Sequence, residues 1–187
     1  MDSSWLAPIG QLLRAWRAWR RLSWLPGLLL PVLAGVGVAH AQYAPREQTQ
    51  LDITFTAASD INPDEKGRPA PLLVRVYELK ADTVFAASDY FSLQANDKAL
   101  VGTDLLARDE FILKPGEVKT IRRKSHPELN FIGVLAGYRD LAQTDWRAVH
   151  KIDPAPESAW YRMVLPANKV KLQIQLQAKG IRVVPVE

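Results

Sequence analysis

The side chains in this sequence that could carry out catalysis form no recognisable catalytic motif. The chain has no cysteine, which excludes disulfides, thiolate metal sites and a cysteine nucleophile. Its three histidines are His40, in an apolar N-terminal stretch, His126 and His150. His150 has Asp145 and Asp153 near it in sequence, but their spacing matches neither a catalytic triad nor a metal-binding motif. The sequence therefore predicts no catalytic residue, no metal ligand and no cofactor site.

A short acidic stretch, residues 60–64, begins like the calcium-binding loop of an EF-hand. It reads Asp-Ile-Asn-Pro-Asp. Such a loop needs a glycine at its sixth position and a bidentate glutamate at its twelfth. Glu65 occupies the glycine position, and Pro71 stands where the glutamate is required. We therefore interpret the stretch as part of an exposed polar loop.

The positive charge of the chain is concentrated at its N-terminus. The formal net charge is +4, and residues 1–41 contribute most of it through four arginines against one aspartate. The remainder is close to neutral, so it lacks the basic surface that binding to a polyanion requires. Nucleic acid is therefore not an expected partner.

Residues 1–41 have the layout of a secretory signal peptide. A basic region, Arg14–Arg21, precedes an uncharged and mostly apolar stretch, Leu22–Ala41, that ends in Ala-His-Ala. Small residues at these positions favour cleavage between Ala41 and Gln42. The stretch is also close to the length that spans a bilayer, so an uncleaved anchor is the alternative. Residues 42–50 are polar and are expected to be a flexible leader.

The rest of the chain, residues 51–187, shows the period of β-strands. Apolar and polar residues alternate over residues 51–56 and again over 170–177, as in strands with one face in water. Phe131–Ala136 is an unbroken apolar run, which predicts a central strand covered on both faces. Residues 81–106 change to helical spacing, and Trp160–Leu165 is interpreted as a further strand. We predict a mainly β fold, a two-sheet sandwich with a small helical insertion.

Several large aromatic residues allow two interpretations. They could line a pocket for a small apolar ligand, or they could fill the core of a small sandwich, which is the default for this composition. The ring of Trp146, after the central strand, is expected to be buried. The residues concerned are Tyr77, Tyr138, Trp146, Trp160 and Tyr161.

Several stretches in register resemble the TssJ (VasD-type) proteins of type VI secretion systems. The order and spacing hold across about residues 51–184. The stretches are Asn62 with Gly67–Leu79, Phe85 with Asp89–Phe91 and Leu93, Leu105 with Leu113–Gly116, and Ile132–Asp140 with Trp146 and Arg147.

The resemblance implies a transthyretin-like β-sandwich that is not an enzyme. Such a protein tethers the periplasmic C-terminal region of TssM to the outer membrane, within a complex that also contains TssL. Members of the family are typically acylated on a cysteine after a Leu-Ala-Gly-like sequence. Here Leu33–Gly35 is present, but Val36 follows where the cysteine belongs. A valine cannot be acylated, so attachment to the outer membrane would be indirect or by another anchor.

A long polar segment, residues 59–70, coincides with the protruding loop to which the resemblance assigns contact with TssM. Loops of this length in compact domains are often functional. Ile61 is its one large apolar residue and is expected to be the anchor of the contact. The predicted partner-binding residues are Asp60, Ile61, Asn62, Asp64, Glu65, Lys66, Gly67 and Arg68. A periplasmic carrier of a small apolar ligand is the alternative function.

Overall fold

The computed structural model describes residues 45–186, with the side chain of Met163 excepted. The predicted signal peptide, its cleavage point between Ala41 and Gln42, and Val36 lie outside the described residues. In the described part of the chain, no helix is both long enough and apolar enough to cross a membrane.

The described chain forms two four-stranded sheets. One has the strand order β4-β1-β7-β8 and the other β3-β2-β5-β6. The strands are β1 (Gln50–Ala57), β2 (Leu72–Leu79), β3 (Leu105–Leu113), β4 (Val118–Lys124), β5 (Phe131–Ala136), β6 (Arg147–Lys151), β7 (Lys169–Gln177) and β8 (Gly180–Val186). The helices are α1 (Thr83–Ala87), α2 (Tyr90–Val101) and two 3-10 helices, Gly102–Asp104 and Trp160–Val164. The predicted two-sheet β-sandwich with a helical insertion is confirmed.

The main core lies between the two sheets and follows the alternation of the sequence. On β1 every second residue is buried, and β7 repeats the pattern beside it because the two strands run parallel in register. Side chains of one face of β2 meet them from the other sheet. The buried residues of these three strands include Leu51, Ile53, Phe55, Leu72, Val74, Val76, Leu172, Ile174 and Leu176.

A second apolar cluster lies on the outer face of the other sheet, beneath the helical insertion. Tyr77 and Leu135 contribute to it from the two central strands, and Phe85 and Leu93 cover them from the helices. Gly133 lets α1 approach this sheet, since a Cβ there would lie 2.8 Å from the Phe85 ring. The prediction that Phe131–Ala136 is a central strand with both faces covered is confirmed.

Two boundaries differ from the sequence-based expectation. The helical insertion predicted for residues 81–106 ends at Asp104, because Leu105 already pairs with Leu79 across a register shift and begins β3. Two residues within the predicted flexible leader are paired with other parts of the domain. Arg46 forms a bridge with Glu157, and Gln50 opens β1.

The prediction that Trp160–Leu165 forms a strand is wrong. Residues 160–164 form a 3-10 helix whose aromatic side chains are largely exposed. Prolines at positions 154, 156 and 166 flank the segment. Proline has no N–H group to donate to a neighbouring strand, so the segment is poorly suited to joining a sheet.

Candidate functional site

The loop that connects β1 to β2, residues 58–71, is organised around one carboxylate. Asp64 accepts hydrogen bonds of 2.9 Å from the backbone N–H groups of Lys66 and Arg68. The Arg68 guanidinium also contacts it at 2.7 Å. Hydrogen bonds from the backbone and side chain of Arg68 lower the pKa of Asp64 below its usual range. Gly67 has φ +75°, which permits the tight turn that brings these donors together.

Ile61 does not point outward as expected of a binding anchor. Its side chain is fully buried and belongs to the main core. Backbone hydrogen bonds from Ile61 to Ala58 and from Ala70 to Ile61 fold the loop back onto the sandwich. Burial of a large apolar side chain stabilises the fold. Ile61 therefore packs in the core, although its polar neighbours in the sequence had suggested that it is exposed. Ile61 is therefore unavailable to a partner in this fold.

Asn62 is also buried, and it connects two loops. Its side-chain amide donates to the carbonyl of Pro71 at 3.0 Å and accepts from the backbone N–H of Arg139 at 2.9 Å. Its φ of +50° lies in the left-handed region, which asparagine tolerates better than most residues. Asn62 thus fixes the base of the β1–β2 loop against the β5–β6 loop, residues 137–146.

The turn between β7 and β8 completes the same end of the sandwich. The Tyr138 hydroxyl lies 2.9 Å from the carbonyl oxygen of Gln177 and 3.0 Å from that of Gly180, to which it donates. Backbone hydrogen bonds also join Asp145 to Lys179 and to Ile181. Hydrogen bonds therefore hold the three loops together.

Between the three loops lies an open depression, which we call the end surface. Its floor is formed by Asn62 and Tyr138, and its rim is mostly charged or polar. The residues that line it are Asn62, Pro63, Asp64, Glu65, Lys66, Arg68, Tyr138, Arg139, Asp140, Gln143, Thr144, Ala178 and Lys179. Both signs of charge are present on the rim, an arrangement suited to recognising a polar protein surface.

The structure brings most of the predicted partner-binding residues to this surface. Asn62, Asp64, Glu65, Lys66 and Arg68 line it. Asp60 and Gly67 are exposed on the same loop without lining the depression. Whether any of these residues contacts a partner stays a prediction.

Sequence reasoning missed the contribution of the other two loops. Arg139, Asp140 and Lys179 face the depression beside the β1–β2 loop. The polar turn after the central strand was visible in the sequence. The sequence did not show that this turn lies against the β1–β2 loop, because that contact depends on the hydrogen bond between Asn62 and Arg139.

Among residues 45–186, no group of three or more metal-ligating side chains converges, at the end surface or elsewhere. His126 lies beside Glu128 in the turn before β5, and His150 pairs opposite Ile132 on β6. Neither histidine lines the depression. A carrier of apolar ligands needs an enclosed apolar pocket. The end surface is open and charged and does not provide one.

The fold and the end surface define a two-sheet β-sandwich that presents a charged loop surface at one end. Comparison with known proteins identifies its family. Residues 49–179 match the family model described as type VI secretion lipoprotein, VasD, EvfM, TssJ. The chain belongs to this family. It is a family of structural secretion-system lipoproteins and not a family of enzymes.

Solved structures agree with this assignment. The lipoprotein TssJ1 of Pseudomonas aeruginosa is 36% identical, with a TM-score of 0.65, over 75% of this chain and 98% of that chain. Lip of Serratia marcescens, described as a membrane-bound component of the type VI secretion system, is 29% identical. Its TM-score is also 0.65, over 74% of this chain and 98% of that one.

A third match shows the fold alone. It is a chain in a structure described as the C-terminal domain of TssM from EAEC, and it is 23% identical with a TM-score of 0.53. The match covers 73% of this chain and 98% of that chain. No curated protein sequence gave a significant match.

Proposed function

We propose that this protein is a structural component of the envelope-spanning complex of a type VI secretion system. In this proposal its end surface binds the periplasmic C-terminal region of TssM and links it, and through it TssL, to the outer membrane. Membership of the secretion lipoprotein family supports the setting. This fold also occurs in a structure described as the C-terminal domain of TssM, and this supports the choice of TssM as the partner.

The observation that carries the proposal is the preordered state of the β1–β2 loop. Its charged side chains project from a backbone that Asp64 and Asn62 fix through hydrogen bonds. A loop ordered before binding loses little conformational entropy when a partner docks, so its contacts contribute more fully to affinity. Glu65 and Lys66 are exposed and make no hydrogen bond through their side chains to the other described residues.

The test is a calorimetric titration in which purified variants are titrated against the periplasmic C-terminal region of TssM. Residues 63–68 are replaced by glycines, while Ile61 and Asn62 are kept because both are buried. We expect this variant to lose measurable binding and to keep the unfolding midpoint of the wild type within a few degrees. The charge reversal Lys66→Glu should weaken binding, mainly through a slower association rate.

The matched control is Lys98→Glu, an exposed charge reversal on α2, outside the end surface. It should bind as the wild type does. If the glycine variant retains full affinity, the contact lies elsewhere on the sandwich and the end surface is not the site.

We also propose the periplasm as the location of residues 42–187, with the signal peptide removed between Ala41 and Gln42. Family membership supports association with the cell envelope. N-terminal sequencing of the protein from periplasmic extracts should return Gln42 as the first residue. A chain that still begins with Met1 in the membrane fraction would contradict this and favour the uncleaved anchor.

A further inference from the structure

A ridge of exposed apolar side chains lies outside the end surface, on the 3-10 helix Trp160–Val164 between β6 and β7. Trp160 is 84% exposed and Val164 is 86% exposed, and Tyr161 and Leu165 are about half exposed beside them. Exposed apolar groups clustered in this way mark sites of contact with a protein or a membrane. The ridge residues are Trp160, Tyr161, Val164 and Leu165.

Hydrogen bonds hold the segment that carries the ridge against the domain. Arg162 makes two hydrogen bonds of 3.0 Å to the carboxylate of Glu47. The backbone N–H of Ser158 donates to the carbonyl of Pro45 at 2.7 Å, and that of Glu47 donates to Pro156 at 3.0 Å. These bonds tie the ridge to the residues at which the described chain enters the domain.

Basic side chains adjoin the ridge on the neighbouring sheet. Leu165 shares one surface depression with Arg46 and Lys124, and Lys124 shares the next with Lys169. The lysines come together because β1 pairs with β4 on one side and with β7 on the other.

The carboxylates nearby are mostly neutralised. Glu47 is paired with Arg162, and Asp52 is paired with Arg122 at 3.0 Å. Glu157, just before the ridge in sequence, is exposed. The border of the ridge is therefore positive on balance.

We propose that the ridge and its lysines form a binding site for an anionic lipid surface. Tryptophan and tyrosine favour the boundary between lipid headgroups and acyl chains, where an apolar ring and a polar tip are both accommodated. Lysines beside such a wedge are attracted to anionic headgroups, and the two contributions add. This site is separate from the end surface and does not rest on the function proposed for it.

The test uses the absence of cysteine from the chain. Val164→Cys provides a single thiol on the ridge of the full chain, to which a polarity-sensitive fluorophore is attached. Phe91→Cys is the matched control, because Phe91 is 68% exposed on α2, over the other sheet. Quenching of each label by acrylamide, a neutral quencher, is measured without vesicles, with phosphatidylglycerol–phosphatidylethanolamine vesicles and with phosphatidylcholine vesicles.

We expect the anionic vesicles to reduce quenching at position 164 several-fold and to leave quenching at position 91 unchanged. Neutral vesicles should protect position 164 much less. Lys124→Glu combined with Lys169→Glu should restore most of the quenching on anionic vesicles, because electrostatic attraction is removed while the ridge is intact.

Four results would contradict the proposal. One is equal quenching at position 164 with and without anionic vesicles. This result counts even if the chain sediments with the vesicles, because another segment would then be responsible for the binding. Another is protection at position 164 before vesicles are added, which would assign the ridge to another part of the chain. The third is equal protection at both labelled positions, which would indicate adsorption without a site. Protection that the lysine reversals leave unchanged would contradict the role given to the basic residues.

Discussion

The side-chain oxygen of Asn62 accepts a hydrogen bond of 2.9 Å from the backbone N–H of Arg139, and this bond joins the β1–β2 loop to the β5–β6 loop. The same side chain donates to the carbonyl of Pro71. A single buried amide therefore satisfies two backbone groups that would otherwise be unpaired, and it sets the geometry of the end surface.

Replacing Asn62 with alanine should destabilise the fold by about 1–3 kcal/mol, because it removes two hydrogen bonds that contribute about 0.5–1.5 kcal/mol each. Asn62→Gly suits the positive φ but also lacks the amide, so it should recover only the part of the loss that comes from backbone strain. Urea unfolding measures both variants. If the alanine variant is as stable as the wild type, water replaces the amide at no cost and the bridge is dispensable.

Ile61→Ala should lower the free energy of unfolding by about 2–5 kcal/mol, the usual cost of truncating a large aliphatic side chain in a core. Glu65→Ala, four residues further along the same loop, is the control and should stay within about 0.5 kcal/mol of the wild type. Chemical denaturation gives both values. A loss of partner binding in an Ile61 variant has to be judged against this loss of stability.

Trp146→Ala should cost about 2 kcal/mol, less than the roughly 3–5 kcal/mol of a fully buried aromatic. The sequence predicted a buried ring, but Trp146 is only half-buried. It packs edge-on against Tyr90 with ring centroids 5.4 Å apart and borders both apolar clusters. Thermal unfolding followed by circular dichroism tests this, and a change below about 0.5 kcal/mol would mean that the ring contributes only surface contact.

Acid should weaken the fold through Asp97, which anchors α2 to the sheet. Its carboxylate accepts hydrogen bonds of 2.9 Å from Tyr77 and Arg108. Burial acts to raise the pKa of Asp97, but the bonds from Arg108 and Tyr77 outweigh it and the pKa lies below its usual range. The folded-state pKa is below the unfolded-state value, so this stabilisation is complete above about pH 4 and is lost as the pH falls through the folded-state pKa.

Asp97→Asn tests the origin of that acid dependence. It should lower stability at pH 7 by about 1–3 kcal/mol, because Arg108 loses a charged acceptor. It should also flatten the decline of stability below about pH 4 relative to the wild type. Urea midpoints measured across this range decide the matter, and parallel pH curves for the two proteins would assign the acid sensitivity to other carboxylates.

The sequence predicted the sandwich well where one local pattern determines the structure. β1 and β7 alternate because one face of each strand meets the core, and the run Phe131–Ala136 is apolar because both faces of its strand are covered. In these cases the pattern of apolar side chains follows directly from which faces of the strand are buried.

Prediction failed where contacts distant in sequence override local character. Ile61 sits among polar residues, and only the folding back of the loop from Ala58 places it in the core. The apolar residues of Trp160–Leu165 suggested a strand. In the structure, the ion pair between Arg162 and Glu47 holds a short helix whose apolar side chains face outward. Neither contact leaves a periodic signal in the sequence.

The parallel pairing of β1 with β7 has a consequence for the order in which the protein can fold. β1 is the first strand of the domain, and the strand that completes one of its two sides lies near the end of the chain. A polypeptide leaving a ribosome or a translocation channel presents β1 early, with one row of backbone hydrogen-bonding groups still unpaired. The domain therefore closes only after β7 has emerged, and distant pairings of this kind make folding slow. Such a late closure fits the proposed periplasmic location, because an exported chain would cross the membrane before β1 and β7 pair.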